Sequence, residues 1–115
     1  MRPFSWSDID EKMGTLHRMS SMPGYVGFVK CFTPRDFRLS RATARELPPG
    51  FTYDVRLDLD NERIWLDSPG NTAPSSSGVL RGLCTVLRTY GVGVGERIPL
   101  CIKDGVYVLR LDNIE

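Results

Sequence analysis

Phe51-Thr52-Tyr53-Asp54-Val55-Arg56-Leu57-Asp58-Leu59 alternates apolar and polar residues without a break. Asp60-Asn61-Glu62 then turns the chain, and Arg63-Ile64-Trp65-Leu66 runs back. A two-residue period places Phe51, Tyr53, Val55, Leu57 and Leu59 on one face and Thr52, Asp54, Arg56 and Asp58 on the other. That is a half-buried strand with one wet face, closed into a β-hairpin by its polar turn. Trp65 falls opposite Ile64 and Leu66, so it is either partly exposed or covered by a helix at the N-terminus.

Upstream, Tyr25-Val26-Gly27-Phe28-Val29-Lys30-Cys31-Phe32 is rich in β-formers, and Val26, Phe28 and Phe32 are expected in the core. Thr33-Pro34-Arg35-Asp36 reads as a turn. Phe37-Arg38-Leu39 leads into a short helical piece from Ser40 to Leu47, stopped by Pro48-Pro49-Gly50. At the start of the chain a helix is expected over 7–20, with Ser7 as cap, acids in its first turn, and Ile9, Met13 and Leu16 at helical spacing. Downstream, residues 68–75 carry two prolines and a glycine and read as a loop. Ser76 or Ser77 opens a second helix with an apolar stripe of Val79, Leu80, Leu83, Val86 and Leu87, ended by Tyr90-Gly91. A hairpin follows: Arg97 to Ile102, a turn at Asp104-Gly105, and Val106 to Leu109.

Helix, glycine turn, strand, tight turn and strand thus occur twice. A shift of 43 residues lays Val55, Leu57 and Leu59 on Ile98, Leu100 and Ile102, and Leu66 on Leu109. Either an internal repeat or two unrelated amphipathic hairpins accounts for this. The fold class expected is α+β in one domain over 1–115, with a first half at 25–67 and a second at 76–111. Its strands form a small, mostly antiparallel β-barrel or crossed β-hairpins, with an N-terminal helix and two short helices.

At 115 residues, with 41% hydrophobic and 25% charged residues, the chain suits one globular domain. No apolar run is long enough to span a bilayer, and the N-terminus does not read as a secretory signal, so no membrane partner and a cytoplasmic location are expected. Cys31, Cys84 and Cys101 are odd in number, far apart and set among apolar neighbours, the pattern of buried thiols in a reducing compartment. Net charge is only +1 but unevenly spread. Residues 30–45 hold Lys30, Arg35, Arg38, Arg41 and Arg45 against Asp36, a net of +4, while residues 46–68 net −4.

The stretch from Gly27 to Leu66 resembles the swapped-hairpin DNA-binding domain of the AbrB/MazE/SpoVT type. Gly27-Phe28-Val29-Lys30 matches its opening strand, Phe37-Arg38-Leu39 the strand entering its helix, Ala42 to Leu47 that helix, and Val55 to Leu66 its hairpin. Arg41 stands where the family usually carries proline. The tail from Leu87 through Gly91-Val92-Gly93-Val94-Gly95-Glu96 to Leu109 is similar to the same family's end. The resemblance implies a small regulatory DNA-binding protein of a bacterium, archaeon or phage, using Lys30, Arg35, Arg38, Arg41 and Arg45 on double-stranded DNA, and a homodimer.

Arginine forks and dense phosphate charge make that assignment chemically sound. The plainer reading of the same set is a solvated basic face paired with the acids of the hairpin. The alternative function is a non-enzymatic protein-binding inhibitor or adaptor, such as a phage anti-defence protein, with Asp54, Asp58, Asp60 and Trp65 at its interface. Three other motifs fail on spacing. Asp58 onward lacks the glycine and glutamate of a calcium loop. The glycines at 91–95 follow a helix, whereas a phosphate cradle precedes one. One histidine, His17, and scattered cysteines make no zinc set. His17 also has no nucleophile or acid at a suggestive spacing. No enzymatic activity, cofactor or metal is expected.

Overall fold

The computed structural model describes residues 19–115. The helix expected over 7–20 therefore lies outside the described residues except for Met19 and Ser20, as do Trp6 and His17. Six strands run in the order β1 (Tyr25–Thr33), β2 (Asp36–Leu39), β3 (Tyr53–Asp58), β4 (Arg63–Thr72), β5 (Arg97–Lys103) and β6 (Val106–Arg110). Helix α1 (Arg41–Glu46) follows β2, and α2 (Cys84–Tyr90) precedes β5. All strands join one antiparallel sheet ordered β2-β1-β5-β6-β4-β3.

The inner face carries the core. Val29 and Cys31 of β1, Phe37 of β2, Ile98 and Leu100 of β5, Leu109 of β6, Ile64 and Leu66 of β4 and Tyr53 of β3 are all essentially inaccessible. Leu80, Leu83 and Leu87, from the segment that crosses back to β5, close over them. Burying a side chain of this size stabilises by about 1.5–3 kcal/mol, so this shared face is what holds the sheet in its curl.

The expected α+β class is corrected. The protein is mostly antiparallel sheet, a curled half-barrel of six strands with β2 and β3 as its edges, and neither a closed barrel nor crossed hairpins. Part of the reason lies at Gly78 and Gly82, whose φ angles of +84° and +88° break the helix expected from Ser76, leaving only α2. Residues 77–80 instead lie along β2, where the Gly78 carbonyl accepts from Leu39 N–H and Leu80 N–H donates to Phe37. That covers part of one sheet edge with backbone hydrogen bonds.

The loop expected at 68–75 is largely strand. Asp54 pairs with Asp67 but Tyr53 pairs with Thr72, so residues 68–71 bulge outward within β4. Thr52 Oγ1 accepts from Gly70 N–H and Asp54 Oδ1 from Asn71 N–H, which ties the bulge down. A Cβ on Gly70 would sit 2.1 Å from the Tyr53 carbonyl carbon, so the close approach needs glycine.

The proposed repeat is also corrected. Trp65 pairs with Val108, the residue 43 positions later, so that shift does relate β4 to β6. It fails for β3 and β5: relative to those partners Val55 corresponds to Leu100, because the first hairpin closes over residues 59–62 and the second over 104–105. Among the described residues, strands β1 and β2 continue the sheet beyond β5 without a counterpart beyond β3, so the described halves differ in register and extent.

Candidate functional site

The phase of β1 is the decisive local fact. Val29 and Cys31 point inward, so Phe28, Lys30 and Phe32 share the outer face, the reverse of the expected burial of the two phenylalanines. Lys30 pairs directly with Arg38 of β2 on one side and with Arg97 of β5 on the other. Three cations therefore stand in a row across three strands, about 4.8 Å apart from strand to strand. Like charges directly opposite in a sheet cost stability.

Aromatic rings and one acid make the row tolerable. Lys30 Nζ lies 5.3 Å and Arg38 Cζ 5.8 Å from the Phe32 ring centroid. Arg97 Cζ lies 5.6 Å from that of Phe28. Cation–π attraction at such exposed sites is worth about 0.5–1 kcal/mol. Arg38 Nε donates to both carboxylate oxygens of Asp36 at 2.9 and 2.8 Å, holding the Asp36 carboxyl below its ordinary range. Phe32 remains 49% exposed.

Beside this face, at the β2 edge, Arg38, Arg41, Arg45, Ser76, Ser77 and Gly78 line an open groove of about 470 Å³. The i, i+4 spacing of Arg41 and Arg45 puts them on one face of α1. Two hydrogen bonds fix the N-terminal half of that helix. Ser40 caps it, its hydroxyl accepting from Thr43 N–H at 3.2 Å, while Thr43 Oγ1 accepts from Phe28 N–H at 3.0 Å. The fold thus joins the arginines of α1 to the strand that carries Lys30 and Phe32.

Of the expected basic residues, Arg38, Arg41 and Arg45 line one groove and Lys30 stands next to Arg38. Arg35 sits in the exposed turn between β1 and β2, where its N–H donates to Thr33 Oγ1. Among the described residues none of the five forms an ion pair with Asp54, Asp58 or Asp60; the one pair they make is Arg38 with Asp36. The basic face and the acidic hairpin belong to opposite sheet edges, so the mutual neutralisation considered from sequence does not occur. Sequence reasoning missed Arg97, Phe28, Phe32 and the two serines.

The second candidate set is arranged differently. Trp65 Nε1 donates to Asp58 Oδ2 at 3.4 Å, and Arg56 Cζ lies 5.0 Å from the indole centroid. Arg56 is also paired with Asp67 at 2.7 Å. Asp54 accepts from the β4 bulge, and Asp60 is exposed in the hairpin turn. Asp58 and Trp65 therefore meet, while Asp54 and Asp60 lie to either side.

The cysteines are unbridged, with Cys31 and Cys101 buried and Cys84 half-buried. Burial pushes the Cys31 and Cys101 thiols up from their ordinary range. Among the described residues no group of three His, Cys, Asp or Glu side chains gathers to hold a metal ion. No helix among them is long and apolar enough to cross a membrane. No family model, curated protein or solved structure matches this chain.

Proposed function

We propose that the protein binds DNA, with the groove of Arg38, Arg41 and Arg45 taking backbone phosphates and Lys30 and Arg97 extending the track across the sheet. The observation that carries this reading is the groove itself: three arginine and two serine residues in its lining with no carboxylate residue, Asp36 lying outside the lining and pairing, among the described residues, with Arg38 alone. Converged cations repel one another, and a polyanion relieves that repulsion while releasing its own counterions. Arginine forks suit phosphate oxygens in pairs, and serine hydroxyls supply further donors. The resemblance of Gly27–Leu66 to a DNA-binding hairpin domain points the same way and carries the expectation of a regulatory role. The hairpin acids and Trp65 are the weaker choice for a partner surface, because the indole N–H and its π-face are already engaged by Asp58 and Arg56.

Fluorescence anisotropy with a labelled duplex, titrated from about 50 to 200 mM salt, tests the reading. Binding should weaken steeply with salt, and Arg41→Ala with Arg45→Ala should lower the log–log slope by about two units. Absence of binding at tens of micromolar protein in the lowest salt overturns it.

A further inference from the structure

Resting on the DNA-binding reading, we infer that the outer face of β1 is a stacking platform for unpaired bases, so that single-stranded DNA is the preferred form. Phe28, Lys30 and Phe32 share one face of β1, with Phe32 where the register against β2 shifts. Lys30 Nζ lies over the Phe32 ring, 5.3 Å from its centroid, where the phosphate of a nucleotide stacked on that ring would pass. Arg38 and Arg97 flank Lys30 on the neighbouring strands. An alternation of aromatic rings and cations is what a sequence-tolerant single-strand site needs, because every base has a π-face and every nucleotide a phosphate.

The energetics of the free protein favour this reading over a purely structural role for the rings. Phe32, on the outer face, is half exposed, whereas Phe37 and Tyr53 on the inner face are fully buried. The flexible ends of Lys30 and Arg38 lie over the Phe32 ring at distances loose enough for a base to take their place. Once displaced from the ring, Lys30 is free to reach phosphate, while Arg38 stays paired with Asp36. A duplex cannot use this face in the same way, since its bases present edges rather than faces to a protein. Phe28, Lys30, Phe32, Arg38 and Arg97 carry no side-chain acceptor for a ribose 2′-hydroxyl proton, so the platform does not single out RNA.

The test compares a labelled dT20 oligonucleotide with a duplex of the same length and with rU20, using the whole chain. dT20 should bind at least about fivefold more tightly than the duplex, and Phe32→Ala should lower dT20 affinity about tenfold. The loss for dT20 should exceed any loss for the duplex by at least about fivefold. Phe32→Trp, which keeps a stacking surface, should retain dT20 binding and quench its indole emission on complex formation. Circular dichroism of both variants checks that the exposed site tolerates the change. Equal affinity for dT20 and duplex, with no effect of Phe32→Ala on either, overturns the platform and leaves the phosphate groove standing. Tighter binding of rU20 than of dT20 overturns the assignment to DNA. Binding of none of the three overturns the groove as well.

Discussion

Thr43 occupies the space that a side chain on Gly27 would need: a Cβ there would lie 1.8 Å from Thr43 Oγ1. The same hydroxyl accepts from Phe28 N–H, so it cannot swing aside without leaving a buried donor unpaired. Gly27→Ala therefore has to lift α1 from β1. We expect a loss of about 1–3 kcal/mol in urea denaturation, accompanied by weaker DNA binding because Arg41 and Arg45 ride on that helix.

Thr43→Val separates shape from hydrogen bonding. The volume is kept while the Phe28 N–H loses its acceptor, at a cost of about 1–3 kcal/mol. Thr43→Ser, which keeps the oxygen, should cost less. Denaturation midpoints of the two variants give the ordering, and the reverse order would show that packing alone seats α1.

Tyr53 predicts an alkaline signature. Its hydroxyl donates to the Arg81 carbonyl at 2.8 Å, and burial pushes its pKa up from 10.0 to about 12. With the folded value above the unfolded one, the neutral phenol's contribution is complete below pH 10.0 and falls as the pH rises toward about 12. Tyr53→Phe should cost about 0.5–1.5 kcal/mol at pH near 8 from the lost hydrogen bond. It should also show a shallower loss of stability between pH 10.0 and about 11 than the parent chain. Urea midpoints across that window measure both effects.

How much of this was legible in the sequence depends on what fixed each face. The hairpin at Tyr53 to Leu66 could be placed because its two faces differ chemically. In β1 both candidate faces are apolar, Val29 and Cys31 on one and Phe28 and Phe32 on the other, so the alternation alone does not choose between them. Lys30 carried the signal: it is in phase with the phenylalanines and marks their face as the wet one. Leu57 and Leu59 were expected on the inner face but are about half exposed, as is Ile102, since both hairpin tips outrun the core. Arg41 and Arg45 were legible from helical spacing. Arg97 was not, because only the pairing of β1 with β5 brings it beside Lys30, and that pairing spans most of the chain. Residues 76–83 misled because an apolar stripe was weighed and the backbone freedom of Gly78 and Gly82 was not.

Asp112 predicts the acid limb. It accepts from Arg110 Nε and Nη2 at 3.0 and 2.8 Å, with Arg63 Nη1 at 3.8 Å, and the Arg110 hydrogen bonds hold its carboxyl below the ordinary range. The depressed value means that its stabilisation is present above the unfolded pKa of 3.8 and is lost as the pH falls through the folded one. Asp112→Asn should therefore destabilise by about 1 kcal/mol at neutral pH, and the gap between variant and parent should close well below pH 3.8.

On the proposed DNA-binding reading, Asp36 is the acid that restrains the basic face, and its removal should strengthen binding. Its carboxylate engages Arg38 through Nε, and through Nη2 at 2.6 Å, holding the guanidinium at the turn beside Phe32. Both groups lie half-buried at the surface, where an ion pair adds little to folding. For a polyanion its effect is unfavourable twice over: the carboxylate repels phosphate, and the arginine it holds is not free to pair with one. Asp36→Asn removes the charge and keeps the shape. We expect the denaturation midpoint to change little, affinity for dT20 at low salt to rise several-fold, and the salt slope to steepen by about one unit as Arg38 gains a phosphate. Asp36→Asn combined with Arg38→Ala should lose that gain. If Asp36→Asn instead weakens binding, the carboxylate orients Arg38 for the nucleic acid, and the pair is part of the site.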